Sequence, residues 1–147
     1  MDVLTTQLET SVDGDNTITV EITDDSQQVN QRKSIIITTH SPRLSFYELH
    51  PLEGPKYQRQ VMDGYTIHPG ITTQILAIPF FLNLNISKEF SYTWKVNSTL
   101  VPGNINPKIL NFNTADGSLG DAIIDLTMQS PRSIFEQAQH TTTIHVQ

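Results

Sequence analysis

The residues with chemistry to offer are five histidines and fifteen carboxylates, and their spacing does not assemble a reaction centre. His40, His50, His68, His140 and His145 show none of the i, i+4 pairing by which helical histidines grip zinc. They read as solvated histidines, with His145 turned outward between Ile144 and Val146. A site joining His140 or His145 to an aspartate stays open. Two loops, Asp13-Gly14-Asp15-Asn16 and Asp116-Gly117-Ser118-Leu119-Gly120-Asp121, carry hard oxygen donors of the kind calcium takes six or more at a time. Each stands just before a strand, where Asp and Gly are ordinary turn residues, so turn chemistry is the stronger reading and weak calcium binding the lesser. Asp24-Asp25 and Asp63 read as turn residues as well. The chain has no Gly-x-Ser-x-Gly elbow, no Ser/His/Asp set that can be placed together and no phosphate-cradling loop. No catalytic, cofactor-binding or metal-ligating residue is therefore assigned, and no cofactor is expected.

The elements that position these residues occur twice. Gly14-Asp15-Asn16-Thr17-Ile18-Thr19-Val20-Glu21-Ile22, followed by Ser34-Ile35-Ile36-Ile37-Thr38, is echoed by Gly120-Asp121-Ala122-Ile123-Ile124-Asp125-Leu126-Thr127-Met128 and Thr141-Thr142-Thr143-Ile144-His145-Val146. One added residue in the second connection keeps the copies in register. The second copy closes a stretch the size of one β-sandwich domain. Almost nothing precedes the first copy. The expected organisation is a partial immunoglobulin-like domain over 1–41, consisting of closing strands, and a complete one over 42–147, with Ser41-Pro42 as the boundary.

Alternation supplies the strands. Ile18, Val20 and Ile22 share one face of 17–23, and Ile35 and Ile37 one face of 34–39. Leu44 and Phe46 point inward from 43–49. Phe90, Tyr92, Trp94 and Val96 do so from 90–96, and Leu110 and Phe112 from 108–113. The run from Thr72 to Leu84 is apolar on both faces and requires a cover. Residues 56–62 suit a short helical turn joining Tyr57 to Val61, and Ile134, Phe135 and Ala138 a connection over the end of the sandwich. Trp94, the only tryptophan, reads as core between sheets rather than as a ligand platform.

Composition narrows the class. Apolar residues make up 37% and charged residues 16%, leaving a surface of Thr, Asn, Gln and Ser that fits solvated strand faces. A net charge of −6, with Gln31-Arg32-Lys33 the densest basic stretch, is unlike a nucleic-acid-binding face. The absence of cysteine excludes disulfides, thiolate metal sites and thiol nucleophiles. Met1-Asp2 begins no signal peptide, and the longest apolar run, Ile75 to Leu82, is too short to span a membrane as a helix. Asn85-Ile86-Ser87 and Asn97-Ser98-Thr99 match the N-glycosylation triplet, which arises readily by chance in such a composition.

With Tyr92-Thr93-Trp94-Lys95-Val96-Asn97 as the aromatic strand, and Gly120 to Met128 and Thr141 to Val146 as the last two, residues 42–146 resemble immunoglobulin-like domains of the bacterial and polycystic-kidney-disease (PKD) type. Phe46-Tyr47-Glu48-Leu49-His50-Pro51-Leu52-Glu53-Gly54 faintly resembles a segment of uncharacterised exported proteins from small-genome bacteria. The resemblance implies an all-β Greek-key sandwich in a tandem, multi-domain protein. It would lie outside the cell or on its surface, as spacer or adhesion module, without enzymatic activity. Its partners would be a protein or the neighbouring repeats, with a homodimer through residues 17–38 as one form. The alternatives are a carbohydrate-binding module of a secreted hydrolase, with Tyr47, Tyr57 and Tyr65 as its sugar-stacking candidates, and a cytoplasmic interaction domain acting alone.

Overall fold

A computed structural model describes residues 13–23, 30–82, 90–103, 105–131 and 137–147, and among them every regular element is a strand. The chain divides into two compact units, Met1–Ser41 and Pro42–Gln147.

Among the described residues the first unit holds an antiparallel pair, β1 (Gly14–Thr23) and β2 (Asn30–Thr39), in register from Gly14 opposite Thr39 to Thr23 opposite Asn30. The β-branched residues at 17–20 and 35–39 favour this pleated conformation. Both strands are longer than the alternating apolar residues alone indicate. Polar ends such as Asn16, whose amide donates to Thr39 Oγ1 at 3.0 Å, extend the ladder.

The second unit is a two-layer sandwich. One sheet has the order β4-β3-β6-β9 and the other β5-β11-β10-β7-β8. These are β3 (Arg43–His50), β4 (Gly54–Gln60), β5 (Tyr65–Ile67), β6 (Thr72–Phe80), β7 (Ser91–Val96), β8 (Thr99–Leu100), β9 (Ile109–Asn113), β10 (Gly120–Gln129) and β11 (Gln137–Val146). The chain changes sheet between β4 and β5, β5 and β6, β6 and β7, β8 and β9, and β9 and β10. All ladders are antiparallel except β5 on β11. This is an immunoglobulin-like Greek-key β-sandwich.

Leu44, Phe46, Ile75, Ala77, Leu110 and Phe112 from one sheet meet Trp94, Ile124, Leu126, Met128 and Ile144 from the other. Every inward residue expected of 43–49, 108–113 and Trp94 is in this core. Arg43 lies opposite Phe80, whereas Gly120 lies opposite Val146 at the β9–β10 end. The strand that opens the sandwich and the strand that closes it therefore have their outer ends at opposite poles.

Two local expectations are corrected. Residues 56–60 are not a helical turn but part of β4. The edge of β3 offers unpaired backbone groups, and β4 is the outer strand of its sheet, the position in which a proline such as Pro55 is tolerated. Tyr57 packs edge-on to Tyr47, with ring centroids 5.6 Å apart, not against Val61, which is buried and donates its N–H to Phe46 O at 2.9 Å. Ala138 belongs to β11 rather than to a connection, while Ile134 and Phe135 lie outside the described residues. The apolar run beginning at Thr72 stops as a strand at Phe80, where Phe81 turns left-handed at φ 58°.

Candidate functional site

The two acidic loops hold their carboxylates by different means. Asp15 Oδ1 accepts from Thr38 Oγ1 at 2.5 Å, and Asp13 lies 3.7 Å from His40 Nδ1. In the second loop Asp121 Oδ1 is 2.5 Å from His145 Nδ1. The Asp116 carboxyl fills the space over Gly70, where an added Cβ would fall 2.1 Å from Oδ1. Among the described residues no three His, Asp or Glu side chains are gathered as a metal would require.

The histidines part company. His50 Nδ1 accepts from the N–H groups of Leu52 and Glu53 at 3.3 and 3.2 Å, closing the β3–β4 turn. His68 Nδ1 lies 3.0 Å from Gln147 O. His145 faces outward as its alternation predicts. His140 departs from the solvated reading. It lies on the inner face of β11 and stands edge-on to Phe46, with ring centroids 4.6 Å apart and Nε2 buried without a partner among the described residues. Burial holds its pKa below the ordinary value, against the opposing charge of Asp63. Asp63 itself accepts from Thr143 N–H at 2.9 Å.

Trp94 is 5% exposed and donates its indole N–H to Pro107 O at 2.9 Å. Its ring centroid lies 5.2 Å from that of Phe46. It offers no face to a ligand. Of the tyrosines, Tyr57 is 65% exposed; Tyr65 is half-buried and donates its hydroxyl to Glu48 Oε2.

That last contact belongs to a cluster that none of the sequence motifs contains. Glu48 also binds Lys56 Nζ at 2.9 Å and Arg59 at 3.3 Å. Burial pushes the Glu48 carboxyl up, but the Tyr65 and Lys56 hydrogen bonds and the two cations outweigh it, leaving a net lowering. Burial together with this carboxylate pushes Tyr65 up to about 12. Because Tyr65 is on β5, the edge strand of one sheet, and Glu48 on β3 of the other, the contact clips the two sheets together. The signal was present in the sequence: Glu48 has the same parity as Leu44 and Phe46 and so points inward, where a charge needs partners.

The turn between β7 and β8 uses Asn97 and Ser98 at φ 49° and 66°, the doubly left-handed geometry of a two-residue hairpin. The Asn97 side-chain Oδ1 accepts from Ile123 N–H at 2.8 Å, and the Asn97 N–H donates to Ile123 O at 2.8 Å. Asn85 lies outside the described residues. A shallow cleft of about 270 Å³ opens at the β9–β10 pole between Phe112, Asn113, Leu119 and Val146, and among the described residues Asp121 is the one titratable side chain on its wall.

No family model matches this chain, and no curated protein matches it. Among solved structures the chain is similar to Sidekick-1 immunoglobulin domains 1–4, at 12% identity and a TM-score of 0.39. The match covers 93% of this chain and 35% of that one.

Proposed function

We propose that the chain is a non-catalytic, tandem immunoglobulin-like segment serving as spacer or protein-binding module outside the cell or on its surface. One observation carries this reading: the opening and closing strands of the second unit end at opposite poles, as a link in an extended chain requires. Each strand of eight to ten residues spans about 30 Å at 3.4 Å per residue. The largely polar outer face of β10 and β11 supports the reading, since Asp125 accepts from Gln139 and Thr141 at 2.6 and 2.8 Å there, with Ile123 as its half-exposed apolar residue. Antibody raised against residues 42–147 should label intact source cells. Labelling only after permeabilisation would favour the cytoplasmic interaction domain instead.

The Tyr47–Tyr57 pair favours a second reading, carbohydrate binding on the outer face of β3 and β4. Calorimetric titration with cello-, xylo- and chito-oligosaccharides should give heats that Tyr57→Ala abolishes if this is correct. Absence of any heat leaves the spacer role alone.

A further inference from the structure

The two hairpins correspond in more than sequence. β1–β2 and β10–β11 each pair over strands of ten residues. Both begin on a glycine at φ 125°, Gly14 and Gly120. Their connections, 24–29 and 130–136, differ by one residue. Cross-strand side-chain bonds recur at matching places: Asp15–Thr38 where the second unit has Asp121–His145, and Thr19–Ser34 where it has Asp125–Thr141. Asp121–His145 and Asp125–Thr141 lie on the outer face of the sandwich, so this correspondence identifies the outer face of β1–β2 as well.

The opposite face of β1–β2 is then an inner face. It carries Asn16, Ile18, Val20, Lys33, Ile35 and Ile37, matching Ala122, Ile124, Leu126, His140, Thr142 and Ile144. In the second unit Ile124, Leu126 and Ile144 are fully buried, whereas Val20, Ile35 and Ile37 are 49, 51 and 41% exposed.

We infer that this face of β1–β2 docks the front sheet of another sandwich of the same repeat class, an antiparallel sheet equivalent to β3-β6-β9, carrying aliphatic side chains and an aromatic where Phe46 stands. The aromatic follows from Lys33: it occupies the place of His140, which packs on Phe46, and a lysine there is satisfied by the face of a ring. A second copy of this chain is a poorer occupant. The face measures roughly 34 by 10 Å, so two copies face to face bury about 700 Å², short of the ~1,200 Å² at which stable interfaces begin. A tethered sheet needs less area, because its effective concentration is high. The inference rests on the tandem reading above, while the fold of the second unit is reported independently by its own Trp94 emission.

The test extends the full chain by placing a copy of residues 42–119 directly before Gly14. Amide exchange in β1 and β2 should slow at least 100-fold, approaching that of β10 and β11, and a second cooperative unfolding transition should appear. A companion variant carrying Asn16→Ala, Val20→Leu, Lys33→His and Ile35→Thr restores the inner-face residues of the second unit and guards against a local mismatch. If neither chain gains protection, the inference is overturned while the native Trp94 signal leaves the sandwich reading intact. It is equally overturned if the unextended chain already protects β1–β2 as a monomer, or dimerises through this face and becomes monomeric on Val20→Lys.

Discussion

His140 stands edge-on to Phe46 on the inner face of the second unit, its Nε2 buried without a partner among the described residues. An imidazole so placed is kept neutral by burial. Its pKa lies below 6.5 in the folded protein and returns to the ordinary value on unfolding. The unfolded chain then binds the proton more readily as pH falls through 6.5, so stability declines from there down to the folded pKa and levels off below it. Thermal unfolding should give a lower Tm at pH 5.5 than at pH 8, and His140→Gln should remove that difference. An unchanged pH dependence in the variant would assign the slope to other groups.

The placement of His140 also shows where sequence reading runs out. Strict alternation in 141–146 fixes Ile144 and Val146 as inward and His145 as outward, and that parity carries back to Thr142 and His140. Residue type argued the other way, since a histidine is ordinarily solvated, but the structure follows the parity. The sandwich, its boundary strands and the core position of Trp94 were legible because period two is a strong signal. β4 and β5 were not, because their pairing depends on edges that other strands create. The Glu48 cluster was half legible: inward parity marks the charge, but Lys56, Arg59 and Tyr65 reach it only through β4 and the β3–β5 approach.

Trp94 supplies a direct test of the core. With 5% of its surface exposed and its indole N–H bound to Pro107, its emission should be blue-shifted when native and move red on unfolding. Trp94→Ala should cost ~3–5 kcal/mol, the range for large aromatic truncations. Trp94→Phe should recover much of this but leave the Pro107 carbonyl without its donor. Unchanged melting in the alanine variant would contradict the register of β7 on β10.

The clip between Glu48 and Tyr65 makes its own pH signature. Tyr65 ionises at about 12 when folded against 10.0 for an unperturbed phenol. The folded state therefore keeps the proton where the unfolded state loses it, and stability is lost as pH rises from 10 towards 12. Burial also raises Tyr92, so spectrophotometric titration should show more than one late phenol, of which Tyr65→Phe removes one. The same substitution should lower stability at pH 7 by about 1.5 kcal/mol, the low end for a hydrogen bond to a charged group.

Gly120 and Gly14 both adopt φ 125°, a backbone region closed to residues with a Cβ. At Gly120 an added Cβ meets nothing within 4 Å, so Gly120→Ala tests backbone strain without steric contact. It should cost ~1–3 kcal/mol and shift the unfolding transition seen by Trp94. Gly14→Ala places the same strain in the other compact unit. The only tryptophan is in the second unit, so its transition should stay where it is while amide exchange in β1 and β2 accelerates. A Trp94 transition that moves equally in both variants would show that the two units unfold as one, and would remove the premise that each glycine serves its own hairpin.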